Sequence, residues 1–491
     1  LGTIIGLELL TRVGITANTS IVAAITVIAA SRIPIALCGR FRDLERQNLL
    51  QTVISAASFG GANGMLLPMG LLWLTGRADL APIMLLGGLA GLVIDATLLY
   101  RLFDTTLFPA TGLWPAGVAT AECMIAGDTG GRRARLLGVG ALTGTLGYLI
   151  GIPMDIVGIS WIGNFWALSM FGGGLLVRGY SSPLFGVDVH ALFLPHGVMI
   201  GAGLVALIQI GKHLRGSART VDRGQRVGGA LSSAFSAFSL AAGAMAILAG
   251  LASQMSPLQF IGFVLFAAVA ALVSELLVGI AAMHSGWFPA FATALIFLLI
   301  GMALGFPPLP LTFLVGFAAS TGPAFADMGY DLKAGWILRG RGRRPDLELA
   351  GRRQQYTAEL IGFAVAFIVV YTVHDYYFDA DLFPPWDRVA AATIAAGATP
   401  SLAGALITWA IPGALIQYLG GPDRQLGVLF ATGLLIFNPV AGWTALAALA
   451  ARFYLIRRYG EEIKNPMYIL AGGFIAGSAI TSFSSATLRL R

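Results

Sequence analysis

Cysteine and charge are what this chain has least of. Cys38 and Cys123 are its only cysteines. They lie far apart among small or apolar neighbours, so neither a disulfide framework nor a thiolate metal site is indicated. Charged residues make up 11% of the 491 residues, against about 25% in soluble globular proteins. Lysine is almost missing, with Lys212, Lys333 and Lys464 standing beside many arginines. The 3.6-residue amphipathic pattern of surface helices is absent, and so are the short alternating segments of a membrane β-barrel. No Gly-x4-Gly-Lys-Ser/Thr loop is present to cradle ATP. A soluble protein, a barrel and an ATP-driven pump are therefore all disfavoured.

What the chain does have is apolar length. It is 57% hydrophobic with a mean hydropathy of +0.80, and it shows many runs near the ~20 residues that a spanning helix needs. The expected fold class is all-α: a polytopic membrane protein with about 14-16 transmembrane helices plus re-entrant or broken segments. Two repeat halves, 1–226 and 227–491, would form a single integral membrane domain. Glu45-Arg46-Gln47-Asn48 at the start of one span is echoed by Arg352-Arg353-Gln354-Gln355 at the start of another. The net charge of +7 is concentrated in short arginine-rich loops, which the positive-inside rule explains better than nucleic-acid binding does. Loops 40–46, 132–135, 212–226 and 339–353 are accordingly expected in the cytoplasm.

Parity then constrains the path. Loops on one side must be separated by an even number of crossings, yet three apolar pieces lie between residues 46 and 132. The piece 113–126 is too short to span, so it is expected to be re-entrant, with Glu122 inside the protein near a cavity. Three pieces (136–160, 161–177, 187–210) again separate the next pair of loops, so one of these also fails to cross.

The stretch 316–353 organises the candidate site. Asp327 and Asp331 are four apart and share a helix face, while Lys333 points elsewhere. Carboxylates at this depth are costly unless something uses them. Asn18, Thr19 and Asn63 are polar residues in apolar or glycine-rich spans. Glu275 is an intramembrane acid with His284 nine residues on as a candidate partner. Asp95 beside Arg101 reads as an interfacial pair. His190 and His196, six apart, fall on nearly opposite helix faces and read as packing rather than a metal pair. A proton carrier must be an acid whose neutral form is favoured by burial. Glu122 and Glu275 qualify, each without an arginine within four residues. The expected assignments are substrate binding by Asn18, Thr19, Asn63, Glu122, His284 and Asp327, proton coupling by Glu122 and Glu275, and gating by Asp331 with Lys333. No catalytic residue, metal or cofactor is expected.

Three segments carry a resemblance. Trp114-Pro115-Ala116-Gly117-Val118-Ala119-Thr120-Ala121-Glu122, Asp327-Met328-Gly329-Tyr330-Asp331-Leu332-Lys333-Ala334-Gly335 and Gln47-Asn48-Leu49-Leu50-Gln51-Thr52 together resemble the oligopeptide transporter (OPT) superfamily. The third is similar to its bacterial members, and the superfamily includes the yellow-stripe-like metal-chelate transporters. The Asn-Pro-Gly segment of the eukaryotic peptide branch has no clear counterpart. The resemblance implies proton-driven symport of oligopeptides or peptide-like metal chelates across the plasma membrane. The implied partners are a small-molecule substrate, protons and the lipid bilayer, with a homo-oligomer left open and no nucleic acid. Two other classes stay in view. Asp327 and Asp331 match the Asp-x3-Asp with which membrane prenyltransferases hold Mg²⁺ on a diphosphate, although no second Asp-rich motif follows. A passive channel would need no coupling acid.

Overall fold

Within hydrocarbon, every backbone N–H and C=O must be satisfied inside its own segment, so apolar runs of this length fold as helices. The computed structural model describes residues 2–13, 18–33, 41–217, 221–286, 290–397 and 400–488. Among these residues no strand forms beyond an isolated bridge between Phe103 and Phe108, and seven helices are long and apolar enough to cross a membrane. The all-α polytopic class expected from the sequence is the class observed. Cys38, Arg40 and Arg219 lie outside the described residues, so the first basic loop is seen from residue 41 onward.

The first third of the chain shows how glycine breaks up long runs. Helix α1 (Gly2–Glu8) passes into a π-turn (Leu9–Val13), and α2 (Thr19–Ser31) follows with Asn18 capping its first turn at Ile21 N. Helix α3 (Leu44–Phe59) continues through a π-helical stretch (Gly60–Leu66) into α4 (Leu67–Leu74). Helix α5 (Ala81–Leu102) packs on that stretch. A Cβ on Gly88 would run into the Gly64 carbonyl oxygen, so here two backbones touch directly, as small-residue packing between membrane helices allows.

Arginine contacts define one end of the molecule. Arg32 donates to the Gly127 carbonyl at 2.6 Å, Arg352 to the Phe103 carbonyl at 3.0 Å, and Arg339 Nε to Glu348 Oε2 at 2.9 Å. The C-terminal ends of α2, α5, α6 (Pro115–Thr129) and α15 (Pro323–Leu338) therefore meet there, along with the starts of α3 and α16 (Pro345–Asp379).

Three segments enter this bundle and turn back. Residues 103–114 leave the arginine-rich end and Trp114 reaches inward, its backbone N–H donating to the Met283 carbonyl at 2.9 Å. Helix α6 then returns alongside α15, with Gly117 against Tyr330 and Lys333, and Ala121 clustered with Ala334 and Ile337. The re-entrant path expected for 113–126 is thus what the contacts describe. Helix α7 (Gly131–Leu149) crosses beside α21 (Lys464–Leu488), and α8 (Met154–Ile162) comes back only partway. Helix α9 (Phe165–Phe185) then turns outward along α20 (Pro439–Tyr459), with Gly172 beside Ala445 and Gly179 against Pro439. Pro153 and Asn164 punctuate the α8 hairpin, and α10 (Leu194–Ser217) completes the even number of crossings that parity demands.

The second half repeats the device. Helices α11 (Val221–Leu248), α12 (Pro257–Ser285) and α13 (Ala290–Ala303) lead to α14 (Pro308–Ser320). Helices α14 and α15 make one span interrupted at Thr321 and Gly322, and 94% of its most apolar stretch is buried in protein. Gly322 sits at φ +91°, a conformation that side chains larger than hydrogen resist. After α16 and α17 (Pro385–Ala396), α18 (Pro400–Gly420) enters beside α10, and α19 (Leu426–Leu435) returns from a tip at residues 421–425. In the sequence, 400–439 shows only apolar pieces broken by glycine and proline, and nothing there marks this third turn-back.

Candidate functional site

The tips of the three re-entrant segments meet one another and the C-terminal end of α12, at a place open enough that the Asp423 side chain is 77% exposed. A Cβ on Gly286 would stand 3.2 Å from Pro115 and 3.5 Å from the Gly163 Cα. Asn164 Nδ2 donates to the Asp423 carbonyl at 3.3 Å, His284 Nε2 lies 3.6 Å from Asp423 Oδ1, and the Arg424 guanidinium sits over the Trp166 ring. Arg452 donates to the Ser160 and Gly163 carbonyls at 3.0 and 2.5 Å, so a cation satisfies the C-terminal carbonyls of α8 as helix ends require.

A row of buried carboxyls runs along α15 from its break. At the N-terminus, Asp95 Oδ2 accepts the Gly322 N–H at 2.8 Å, which caps the half-helix. Among the described residues, Asp95 Oδ1 and both oxygens of Glu275 find no hydrogen-bond partner, although both residues are 0% exposed. The two carboxyls are close enough to interact electrostatically. Further along, Asp327 accepts from Thr19 Oγ1 at 2.8 Å and Ser20 Oγ at 3.1 Å on one oxygen, and from Ser55 Oγ at 2.7 Å on the other. Asp331 Oδ1 accepts from Gln51 Nε2 at 2.6 Å, while its Oδ2 has no partner among the described residues. Gln355 Nε2 donates to the Asp331 carbonyl at 2.7 Å, and its oxygen takes Arg339 at 2.8 Å. Four residues on from Gln355, Glu359 is 0% exposed with neither oxygen partnered by a described residue.

Several expected pairings are not formed. Asp95 does not pair with Arg101, which donates to Ser233 instead; six residues apart, the two point to different helix faces. Glu122 is not free of arginine, because the turn at Gly130 brings Arg133 back to within 2.6 Å of it. Lys333 leaves Asp331 and donates to the Ala110 and Gly112 carbonyls at 2.7 and 2.8 Å, with the Trp336 ring beneath it. It thereby pins the inbound segment 103–114. His284 faces Asp423 rather than Glu275. Asn63 is buried in the π-helical stretch, and Asn18 stays at the cap of α2. Of the expected residues, Thr19 and Asp327 are in direct contact, while Glu275, His284 and Glu122 lie at separate places.

The fold also holds residues that sequence reasoning passed over. Gln51, Gln355 and Glu359 complete the Asp331 environment, and a helical i, i+4 reading of Gln355 and Glu359 would have put them on one face. Asp387, 0% exposed with neither oxygen partnered by a described residue, lies against Gly70. A cavity of about 350 Å³ opens away from the arginine-rich end between α7, α8, α20 and α21, lined by Leu9, Tyr148, Asp155, Asn438, Ser478 and Ser482 among others.

A family model described as OPT oligopeptide transporter protein matches residues 1–215 and 220–489. The chain belongs to the OPT oligopeptide transporter family. No match was found among curated protein sequences. In this OPT chain, the interrupted α14–α15 span and the three turn-backs are the irregular backbone that membrane proteins tolerate only where protein or a cavity encloses it.

Proposed function

We propose that this chain is a proton-coupled secondary transporter that carries oligopeptides, or metal chelates of peptide-like shape, across the plasma membrane. Family membership supports the transport of oligopeptides. The coupling rests on one observation above the others: Glu275, fully buried beside the break at Gly322, has neither oxygen partnered by a described residue. A buried charge without a partner is strongly disfavoured, so an acid in that position is suited to hold and release a proton. We assign coupling to Glu275 with Asp95, and treat the Glu122–Arg133 pair as a latch at the arginine-rich end.

The substrate is proposed to lie at the meeting of the tips, with His284, Asn164 and Asp423 at its edge and the Thr19–Asp327 contact close by. Thr19, Pro115 and Pro323, which open α2, α6 and α15, are buried, and α19 follows the buried Gln425; half-helix N-termini carry a positive dipole end that attracts anionic groups. This favours a substrate with a carboxylate. The cavity holding Asp155 offers a way in from the side opposite the arginines. Asp331 and Lys333 are proposed to gate through separate contacts rather than with each other.

The test is uptake of labelled oligopeptides and peptide-like metal chelates into proteoliposomes. Accumulation should require an inward proton gradient and vanish with a protonophore. Accumulation that ignores the gradient would refute the coupling.

A further inference from the structure

We propose that Glu359 and Asp331 form a second proton-binding site on the arginine-rich side of the Asp95–Glu275 pair, so that the coupled proton crosses in two held positions along α15. The site itself stands on geometry, and its role in coupling rests on the reading that transport is proton-driven.

Three carboxyl oxygens are in question: Asp331 Oδ2 and both oxygens of Glu359, all buried and without hydrogen-bond partners among the described residues. Glu359 is near enough to feel the charges of Asp331 and Asp327. Among the described residues, the surroundings offer no neutralising cation. On α15, Asp327 adds a further carboxyl and Tyr330 a phenol that has no partner of its own there. Facing residues on α3 are Gln51, Thr52 and Ser55, all uncharged. The π-helical stretch contributes Asn63, α5 carries Asp95 and Tyr100, and α1 carries Glu8, which is tied to Tyr377 and Arg12. Arg339 stops at Gln355 and is itself paired with Glu348. Lys333 is committed to the carbonyls of residues 110 and 112.

Asp327 makes the contrast. Three hydroxyls donate to it, an arrangement that suits a carboxylate. Glu359 and Asp331 Oδ2 have no such donors. Two neighbouring carboxyls buried away from water cannot both be ionised without large repulsion. One shared proton removes a charge and supplies the missing donor. A metal ion is the poorer occupant, since hard cations take about six or more oxygens and the unpartnered oxygens here are those three and the Tyr330 hydroxyl. From Gly322 to Asp331 is nine helical residues, about 13 Å at 1.5 Å per residue, so the two carboxyl pairs are distinct stations. Asp327 lies between them in sequence.

The test uses the full chain in lipid nanodiscs without substrate. Infrared difference spectra across a pH titration should show the stretch of protonated carboxyls. Glu359→Gln should remove one component and Glu275→Gln a different one, while Glu359→Asp should shift the first without abolishing it. If Glu359→Gln proves unstable, Asp331→Asn reads the same component. A spectrum unchanged by both Glu359→Gln and Asp331→Asn overturns the site. In proteoliposomes, Glu359→Gln should reduce gradient-driven accumulation to the equilibrated level while substrate exchange persists. Wild-type uptake indifferent to protons, with the infrared component present, would refute the coupling and leave the site standing.

Discussion

Asp327 and Glu275 are both fully enclosed acids, and their hydrogen-bond donors set them apart. Removing a donor from a buried acceptor costs about 1–3 kcal/mol, more when the acceptor is charged. Ser55 donates to Asp327 Oδ2, while Thr19 and Ser20 both serve Oδ1. Ser55→Ala should therefore lower stability by roughly that amount, measured as a fall in thermal midpoint in detergent. Glu275→Gln removes no donor contact. It should leave stability and substrate exchange close to wild type while abolishing concentrative uptake, and retained accumulation with normal pH dependence would move coupling to another acid. At this scale the sequence is legible where spacing carries the message. Asp327 and Asp331 are one turn apart, and Glu275 stands alone in an apolar run. It is illegible where partners come from distant segments: Arg133 reaches Glu122 only because a turn intervenes, and Asp95 finds a backbone N–H 227 residues away. Glu359 escapes notice because it follows Arg352, Arg353, Gln354 and Gln355, a run that reads as a solvated helix entrance.

Among the elements, half-length helices and close backbone contacts do the positioning. Gly88 touches the Gly64 carbonyl, whereas a Cβ on Gly173 would meet nothing within 4 Å. Gly88→Val should therefore pry α5 from the π-helical stretch and destabilise by about 1–3 kcal/mol, as overpacking does. Gly173→Ala should be neutral or slightly stabilising, since alanine is the better helix former. Equal thermal shifts for the two would contradict the packing described. Arg452→Met should loosen the α8–α9 tip, because it strips the carbonyls of Ser160 and Gly163 of their donor, and protease or hydrogen-exchange protection there should fall first. Charge parity makes the turn-back at 103–129 and the failure of one piece before residue 212 readable. The α18–α19 turn-back is not readable, since its Gly420, Gly421 and Pro422 could equally mark an ordinary external loop.

For the whole molecule, the arginine-rich ends of α2, α5, α6 and α15 share one face, and the positive-inside rule predicts that this face is cytoplasmic. Single cysteines introduced at residues 43, 133 and 343 should resist a membrane-impermeant thiol reagent applied from outside and react once the membrane is permeabilised. Labelling from outside at any of them would invert or break the topology. The central claim is that substrate and proton move together past the carboxyls beside α15. Its most direct test is a pH indicator sealed inside proteoliposomes with no gradient imposed. Adding a transported oligopeptide outside should acidify the lumen in wild type and leave it unchanged in Glu275→Gln. Substrate entering the wild-type vesicles without any change in lumenal pH would contradict coupled transport.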